Sequence, residues 1–226
     1  MAKQDRAVRT RQELIRSAAE TFLQGGFALA SLNGISARSG VSTGALHFHF
    51  RSKRELGQAV EEKAASTLRQ LLTAASRGGS PSLARLAETS QRLADLLVDD
   101  VVLRAGFCLG VDATWHSESL LWEIWRDWVR SVLVRARHEG RLAVDVDLED
   151  TVFAVTAAVV GFEVLGRRDA AWSSPRVLDG YWQIMLPRLS GKPPGQAVPG
   201  PCPATAPAPR KPPTVVVKPA GSSSHG

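Results

Sequence analysis

Cysteine is scarce in this chain. Only Cys108 and Cys202 occur among 226 residues, and Cys202 lies in a stretch with no other mark of ordered structure. A disulfide framework is therefore excluded, and a reducing compartment fits. Long hydrophobic runs are missing as well. No stretch approaches the ~18 consecutive apolar residues of a membrane helix, and the charged N-terminus lacks the apolar centre of a signal peptide. These absences predict a cytoplasmic protein with no membrane partner. Strand alternation of useful length and internal repeats are also absent, so sheet and repeat architectures drop out. Acids are missing from one place: residues 191–226 hold Lys192, Arg210, Lys211 and Lys218 but no Asp or Glu.

The charge that is present is unevenly spread. Lys+Arg number 28 against 22 Asp+Glu, a formal net charge of +6. Residues 1–55 carry nine bases (Lys3, Arg6, Arg9, Arg11, Arg16, Arg38, Arg51, Lys53 and Arg54) and four acids. Both ends are basic and the centre is net acidic, so the polyanion footprint lies at the ends. The alternative is ordinary solubility charge.

The N-terminal charge surrounds the most informative segment, SLNGISARSGVSTGALHFHFRSKRE, residues 31–55. Ser31 is placed to cap a short helix over Leu32, Ile35 and Ala37. Gly40 supplies the left-handed turn that ends it, and Val41 an apolar plug. Ser42 caps a second helix from Thr43 to about Phe48, with Leu46 and Phe50 facing inward. Ser52 with Glu55 forms a capping box for the next helix, and Thr10 with Glu13 one for the first. Two short helices around a tight turn make a helix-turn-helix, which presents the start of its second helix to a DNA major groove. Small residues there, Thr43, Gly44 and Ala45, allow close approach. Thr43 suits a base edge or phosphate and Ala45 a thymine methyl. His47, His49, Arg51 and Lys53 are phosphate candidates.

The remainder reads as helices. One long helix runs from Ser52 to about Ser76, ended by Arg77-Gly78-Gly79. Ser80-Pro81 opens another to about Val98. Further helices are expected over Val101–Gly110, Ser117–Glu139, Asp147–Leu165 and, after Ser174-Pro175, to about Leu189. The predicted fold is all-α, about nine helices, with three parts: a helix-turn-helix domain over 1–55, a helical body over 56–190, and a Pro-rich tail over 191–226. The tail's composition cannot bury enough apolar surface to offset its ordering entropy. Val215-Val216-Val217 is either linker or a short pairing segment, and composition favours linker.

The stretch from Thr10 to about Leu56 resembles the DNA-binding domain of the TetR (tetracycline-repressor) family of transcriptional regulators. Ile15, Ala18, Ala19, Phe22, Gly26-Phe27, Ile35-Ser36, Gly40-Val41-Ser42, Gly44-Ala45-Leu46, Phe48-His49-Phe50, Lys53 and Leu56 carry the resemblance. His47 departs from it, since the family usually has Tyr there. Within the family the opening AKQDRAVRTRQELIRSAAE, the GALHFHF run, VLRAGFCLG and Trp125-Arg126 resemble the γ-butyrolactone receptor and pseudo-receptor group of actinomycetes. The resemblance implies a repressor that controls secondary metabolism. It would release double-stranded operator DNA when a small apolar effector, a butyrolactone-type signal or an antibiotic, binds. Ser42, Thr43, Gly44, Ala45, His47, Phe48, His49 and Lys53 become its DNA contacts.

A single helix-turn-helix reaches few base pairs, so a homodimer is expected. Val152, Val159, Val177, Tyr181, Trp182 and Met185 on the last two helices are the candidate dimer surface, with monomer core as the alternative reading. Apolar residues around much of both helices favour burial on two sides. The resemblance implies a four-helix interface here. Trp115, Trp122, Trp125 and Trp128 crowd one region. Trp122 and Trp128 read as packing. Trp125 matches a ligand-contacting Trp of the receptor group, which implies a pocket wall. Val102, Leu103, Phe107, Val155 and Phe162 are its candidate neighbours, and Glu163 is either a buried polar partner or an exposed helix charge.

No catalytic residue, metal site or cofactor site is expected. His47 and His49 lack further ligands, Cys108 reads as a small buried apolar residue, and the acids at 145–150 suit a helix start better than a cation loop. Two other readings stay open. One is a helical small-molecule-binding or partner protein that has lost DNA binding, with His47 as its hint. The other is a helical enzyme, which would require turnover of a small molecule.

Overall fold

Helix caps written into the sequence set most of the element boundaries. The structure, a computed structural model, describes residues 2–77, 83–117 and 120–191. Helix α1 spans Ala2–Leu29 and breaks at Gly26, whose φ of 75° lies in the left-handed region. The capping box expected at Thr10 is therefore not used: Thr10 sits inside a helix that starts eight residues earlier, because nothing helix-breaking lies between Ala2 and Thr10. Helix α2 (Leu32–Ser39) starts at Ser31, whose hydroxyl accepts from Gly34 N–H at 3.1 Å, and ends at Gly40 with φ 66°. Helix α3 (Thr43–His49) starts at Ser42, which accepts from Ala45 N–H at 3.3 Å.

Helix α4 (Lys53–Arg77) follows Ser52, whose hydroxyl accepts from Glu55 N–H at 3.1 Å. The Glu55 carboxylate returns to Arg51 N–H at 2.7 Å, one residue before the cap. Helix α5 covers Leu83–Asp99, and the Ser80-Pro81 signal expected to open it lies outside the described residues. Asp100 caps α6 (Val101–Leu109) by accepting from Val102 and Leu103 N–H. Helix α7 runs Leu121–His138 and starts later than its expected Ser117. Asp147 caps α8 (Leu148–Gly166), accepting from Asp150 N–H at 2.9 Å. The acids at 147–150 thus serve a helix start. A 3₁₀ turn over Ala170–Ser173 precedes α9 (Pro175–Ser190), which ends at Gly191 with φ 67°.

Nine α-helices and no strand occur among the described residues, so the all-α expectation holds. No described helix is long and apolar enough to cross a membrane. The expected tail over 191–226 falls outside the described residues except for Gly191.

Two apolar cores organise the fold, and two helices belong to both. Leu14, Ala18, Phe22, Ile35, Leu46 and Phe50 form the first with Leu56 and Val60 of α4 and Ala105 and Leu109 of α6. Leu68 and Leu72 of α4 and Leu103 and Phe107 of α6 join the second, around Leu86, Leu93, Trp125, Val129, Val155 and Trp182. The first core therefore reaches beyond residue 55. At the crossing of α4 and α6, a Cβ on Gly106 would collide with the Cβ of Ala64. That absence of a side chain lets the two helices approach closely.

Candidate nucleic-acid interface and effector cavity

The reading head is built by anchoring the far side of α3. Leu46 and Phe50 are fully buried, holding the helix by its inner face. The buried Ser36 hydroxyl donates to Val41 O and lies 3.4 Å from the Thr43 hydroxyl, which fixes the turn between α2 and α3. The outer face then presents Ser42, Thr43, Gly44, His47 and Phe48 to solvent, with Ala45 and His49 half-buried. Phe48 is 82% exposed and meets the His49 ring edge-on at 5.2 Å. Nothing lies within 4 Å of a Cβ placed on Gly44, so packing does not require a glycine there and its smallness serves the open face.

Lys53 is held from within the protein. Its ammonium donates to Phe27 O at 2.8 Å and Ala28 O at 3.0 Å and sits 4.6 Å from the Phe27 ring centre. It closes the end of α1 with two of its three N–H donors. Neighbouring bases supply the positive face: Arg6, Arg9, Arg11 and Arg16 are exposed along α1, and Arg51 and Arg54 beside α4. Arg38 reaches Gln24 at 2.5 Å and Glu20 at 3.5 Å, joining α2 to α1.

The segment after α6 clamps this head to the body. Asp112 Oδ2 accepts from Phe27 N–H at 2.9 Å, and its Oδ1 accepts from Thr114 N–H at 2.8 Å. Burial, the largest influence on Asp112, pushes its carboxyl upward, but the hydrogen bonds from Thr114 and Phe27 together outweigh it and hold the group below the usual aspartate range. Trp115 meets the Phe27 ring edge-on at 4.6 Å, lies under Arg54, and donates to buried Glu61 at 3.2 Å. A Cβ on Gly57 would come within 2.7 Å of the same indole. Sequence grouped Trp115 with the other tryptophans. Its partners are distant in the chain, so no local pattern separates it from them.

A cavity of about 430 Å³ opens in the body. Its walls come from Ala94, Leu97 and Val98 of α5, Val159, Phe162 and Glu163 of α8, and Leu178 of α9, with Leu23 of α1 and Arg104 of α6 at its edge. The Glu163 carboxylate is buried and accepts from Arg167 Nε at 2.7 Å, so it is the polar partner of the two readings offered by sequence. Arg167 also reaches Cys108 Sγ at 3.1 Å. Burial, the largest influence, pushes the Cys108 thiol up.

Of the six expected pocket residues, only Phe162 lines this cavity. Trp125, Leu103, Phe107 and Val155 are sealed in the body core, and Val102 packs against the N-terminal core. Trp125 rests on the resemblance and the others on neighbouring helical positions, which cannot tell a cavity wall from filled core. Trp125 is fully buried, and its indole N–H, like that of Trp182, finds no partner among the described residues. Trp128 packs at 5.1 Å against it and donates to Ser76 at 3.4 Å, while Trp122 lies under Arg126.

The expected dimer surface divides in two. Val152, Val159 and Trp182 are buried within the protomer, where side chains of α8 and α9 meet the other helices, and Val177, Tyr181 and Met185 are half-buried. The outward apolar positions are instead Phe153, Ala157, Val164 and Leu165 on α8 and Ile184 on α9. Gly161 and Gly180 lie along these helices with nothing within 4 Å of a Cβ placed on either. No group of three or more His, Cys, Asp or Glu able to hold a metal occurs among the described residues.

An open reading helix fixed to a cavity-bearing helical body has close parallels. Residues 14–60 match the profile of the bacterial regulatory proteins of the TetR family. The chain is 31% identical to the TetR family protein CprB from Streptomyces coelicolor, solved in complex with its operator sequence, over 81% of this chain and 90% of that one, with a TM-score of 0.70.

This chain belongs to the TetR family.

A γ-butyrolactone receptor structure described as ArpA-like is 30% identical over 82% of this chain and 90% of that one, with a TM-score of 0.73. The A-factor receptor protein of Streptomyces griseus is 28% identical over 191 residues, 84% of this TetR-family chain and 67% of the relative.

Proposed function

We infer that this TetR-family protein is a homodimeric, ligand-responsive DNA-binding regulator of secondary metabolism, acting as a repressor. The observation that carries the reading is one continuous path. The cavity touches α6 and α1, α6 runs through both cores, and the segment after α6 grips Phe27 at the end of α1. A small molecule that binds one arrangement of the cavity better than another biases the pose of the reading head, and DNA biases ligand binding reciprocally. Operator complexes and butyrolactone receptors among the relatives support this choice of ligands.

In this reading Ser42, Thr43, Gly44, Ala45, His47, Phe48 and His49 face the major groove. Two protomers join through the outward faces of α8 and α9, which sets the spacing of the two heads. Gel-shift and footprinting on the DNA flanking the protein's own gene test it. Thr43→Ala and Phe48→Ala should each weaken operator binding by about 1–3 kcal/mol while leaving thermal stability and dimer mass unchanged. Affinity should fall steeply with salt. A protein that retards operator and random DNA alike would defeat the reading.

The unpartnered N–H of Trp125 favours a second contact for the effector, reached when the body core opens. Trp125→Phe removes the donor and keeps most of the ring. The expected result is a protein that binds operator normally but needs more effector for release. An unchanged release curve would remove Trp125 from the site.

A further inference from the structure

The cavity beneath α8 holds an electrostatic imbalance. Two guanidinium groups, Arg104 and Arg167, face it with one carboxylate, Glu163. Arg167 and Glu163 satisfy each other through paired contacts. Arg104 is half-buried, yet among the described residues its side chain makes no hydrogen bond or ion pair. A guanidinium stays charged, so Arg104 offers its donors to an acceptor that enters the cavity. The other walls are mainly apolar, Leu23, Leu97, Val98, Val159, Phe162 and Leu178 among them, with Ser90 and Ser173 as further polar residues. The volume of about 430 Å³ falls in the roughly 300–1,000 Å³ range of small-molecule sites.

We propose that this cavity takes a small amphipathic monoanion, an apolar body carrying a single carboxylate, with the carboxylate held by Arg104. The proposal rests on the reading of the cavity as the effector site and adds the ligand's charge. The planar guanidinium matches a carboxylate in two parallel hydrogen bonds. Only one positive charge is uncompensated, so a dianion would leave one of its own charges unmet. Glu163 stands on the same wall and repels a second anionic group. Because Arg104 lies one residue before Ala105, which is packed in the N-terminal core, an anion there acts on the helix that spans both cores.

The test uses the full-length protein and three ten-carbon probes: decanoate, γ-decalactone and decanol. Titration calorimetry at pH 8, where the carboxylate is ionised, compares them. Decanoate should bind about tenfold more tightly than the lactone or the alcohol, the effect of one charge-assisted bond. Arg104→Gln should remove that preference while leaving lactone affinity unchanged, and Arg104→Lys should restore part of it. Glu163→Gln frees Arg167 and should tighten decanoate binding, so it decides the matter if Arg104→Gln fails to fold. Equal or tighter lactone binding, no binding of any probe, or a decanoate affinity indifferent to both charge changes would overturn the proposal. Operator binding measured on the same samples separates the two levels. Intact operator recognition with indifference to charge defeats the anion alone, whereas loss of operator recognition by the unmodified protein defeats the regulator.

Discussion

Tyr181 carries a buried hydroxyl that finds no partner among the described residues. Burial pushes its pKa up to about 12, and the ring packs edge-on against Phe162 at 5.7 Å and Trp182 at 5.1 Å. The ring stabilises through contact while the hydroxyl costs desolvation. Tyr181→Phe should therefore keep or raise stability, with an unfolding free energy within about 0.5 kcal/mol of the parent or above it. Urea denaturation measures this, and a loss well beyond that would show that the hydroxyl has a partner in the dimer. Residue-scale sequence reading succeeded where a side chain acts on its own neighbourhood. Ser31, Gly40 and Ser42 were legible as caps because cap and helix are adjacent in the chain. It did not show that Lys53 has its partners, Phe27 and Ala28, at the end of another helix, nor the filled core that surrounds Trp125.

At the scale of elements, the join between head and body depends on the short segment after α6. Asp112 reaches Phe27 across 85 positions of sequence, a separation no local pattern encodes. The carboxyl is held below its ordinary range in the folded state, so the charged form is the one that grips. Its contribution is present above the unfolded aspartate pKa of about 3.9 and is lost as pH falls through the lower folded value. Asp112→Asn should lower the melting temperature at pH 7, and the difference from the parent should shrink as pH drops below about 4. A difference that stays constant across that range would show that charge is irrelevant to the grip. Helix number and order were readable from caps and apolar spacing. The start of α1 was not, since a helix that begins without a strong cap leaves Thr10 looking like a first residue.

For the molecule as a whole, the surface we propose for pairing is the outward side of α8 and α9. Ile184 is 75% exposed and Phe153 57%, and exposed apolar residues grouped on neighbouring helices mark an association surface. Ile184→Glu should give a folded protein of unchanged helicity that sediments as a monomer and loses tight operator binding, because two heads no longer act together. Analytical ultracentrifugation with circular dichroism checks both halves. A mutant that remains dimeric would move the interface elsewhere. Sequence pointed to α8 and α9 but did not separate Val152, Val159 and Trp182, which the protomer buries, from the outward positions, since α8 is apolar nearly all round and periodicity alone cannot choose between inside and outside.

The sharing of α4 and α6 between both cores bears on how relatives of this protein can diversify. A graft that takes only the first 55 or 60 positions onto a foreign body would tear Ala105, Leu109 and Trp115 away from their partners. Changes at the solvent-facing positions of α3 leave both cores intact, whereas an exchanged head keeps its packing only when α6 and the segment from Asp112 to Trp115 travel with it.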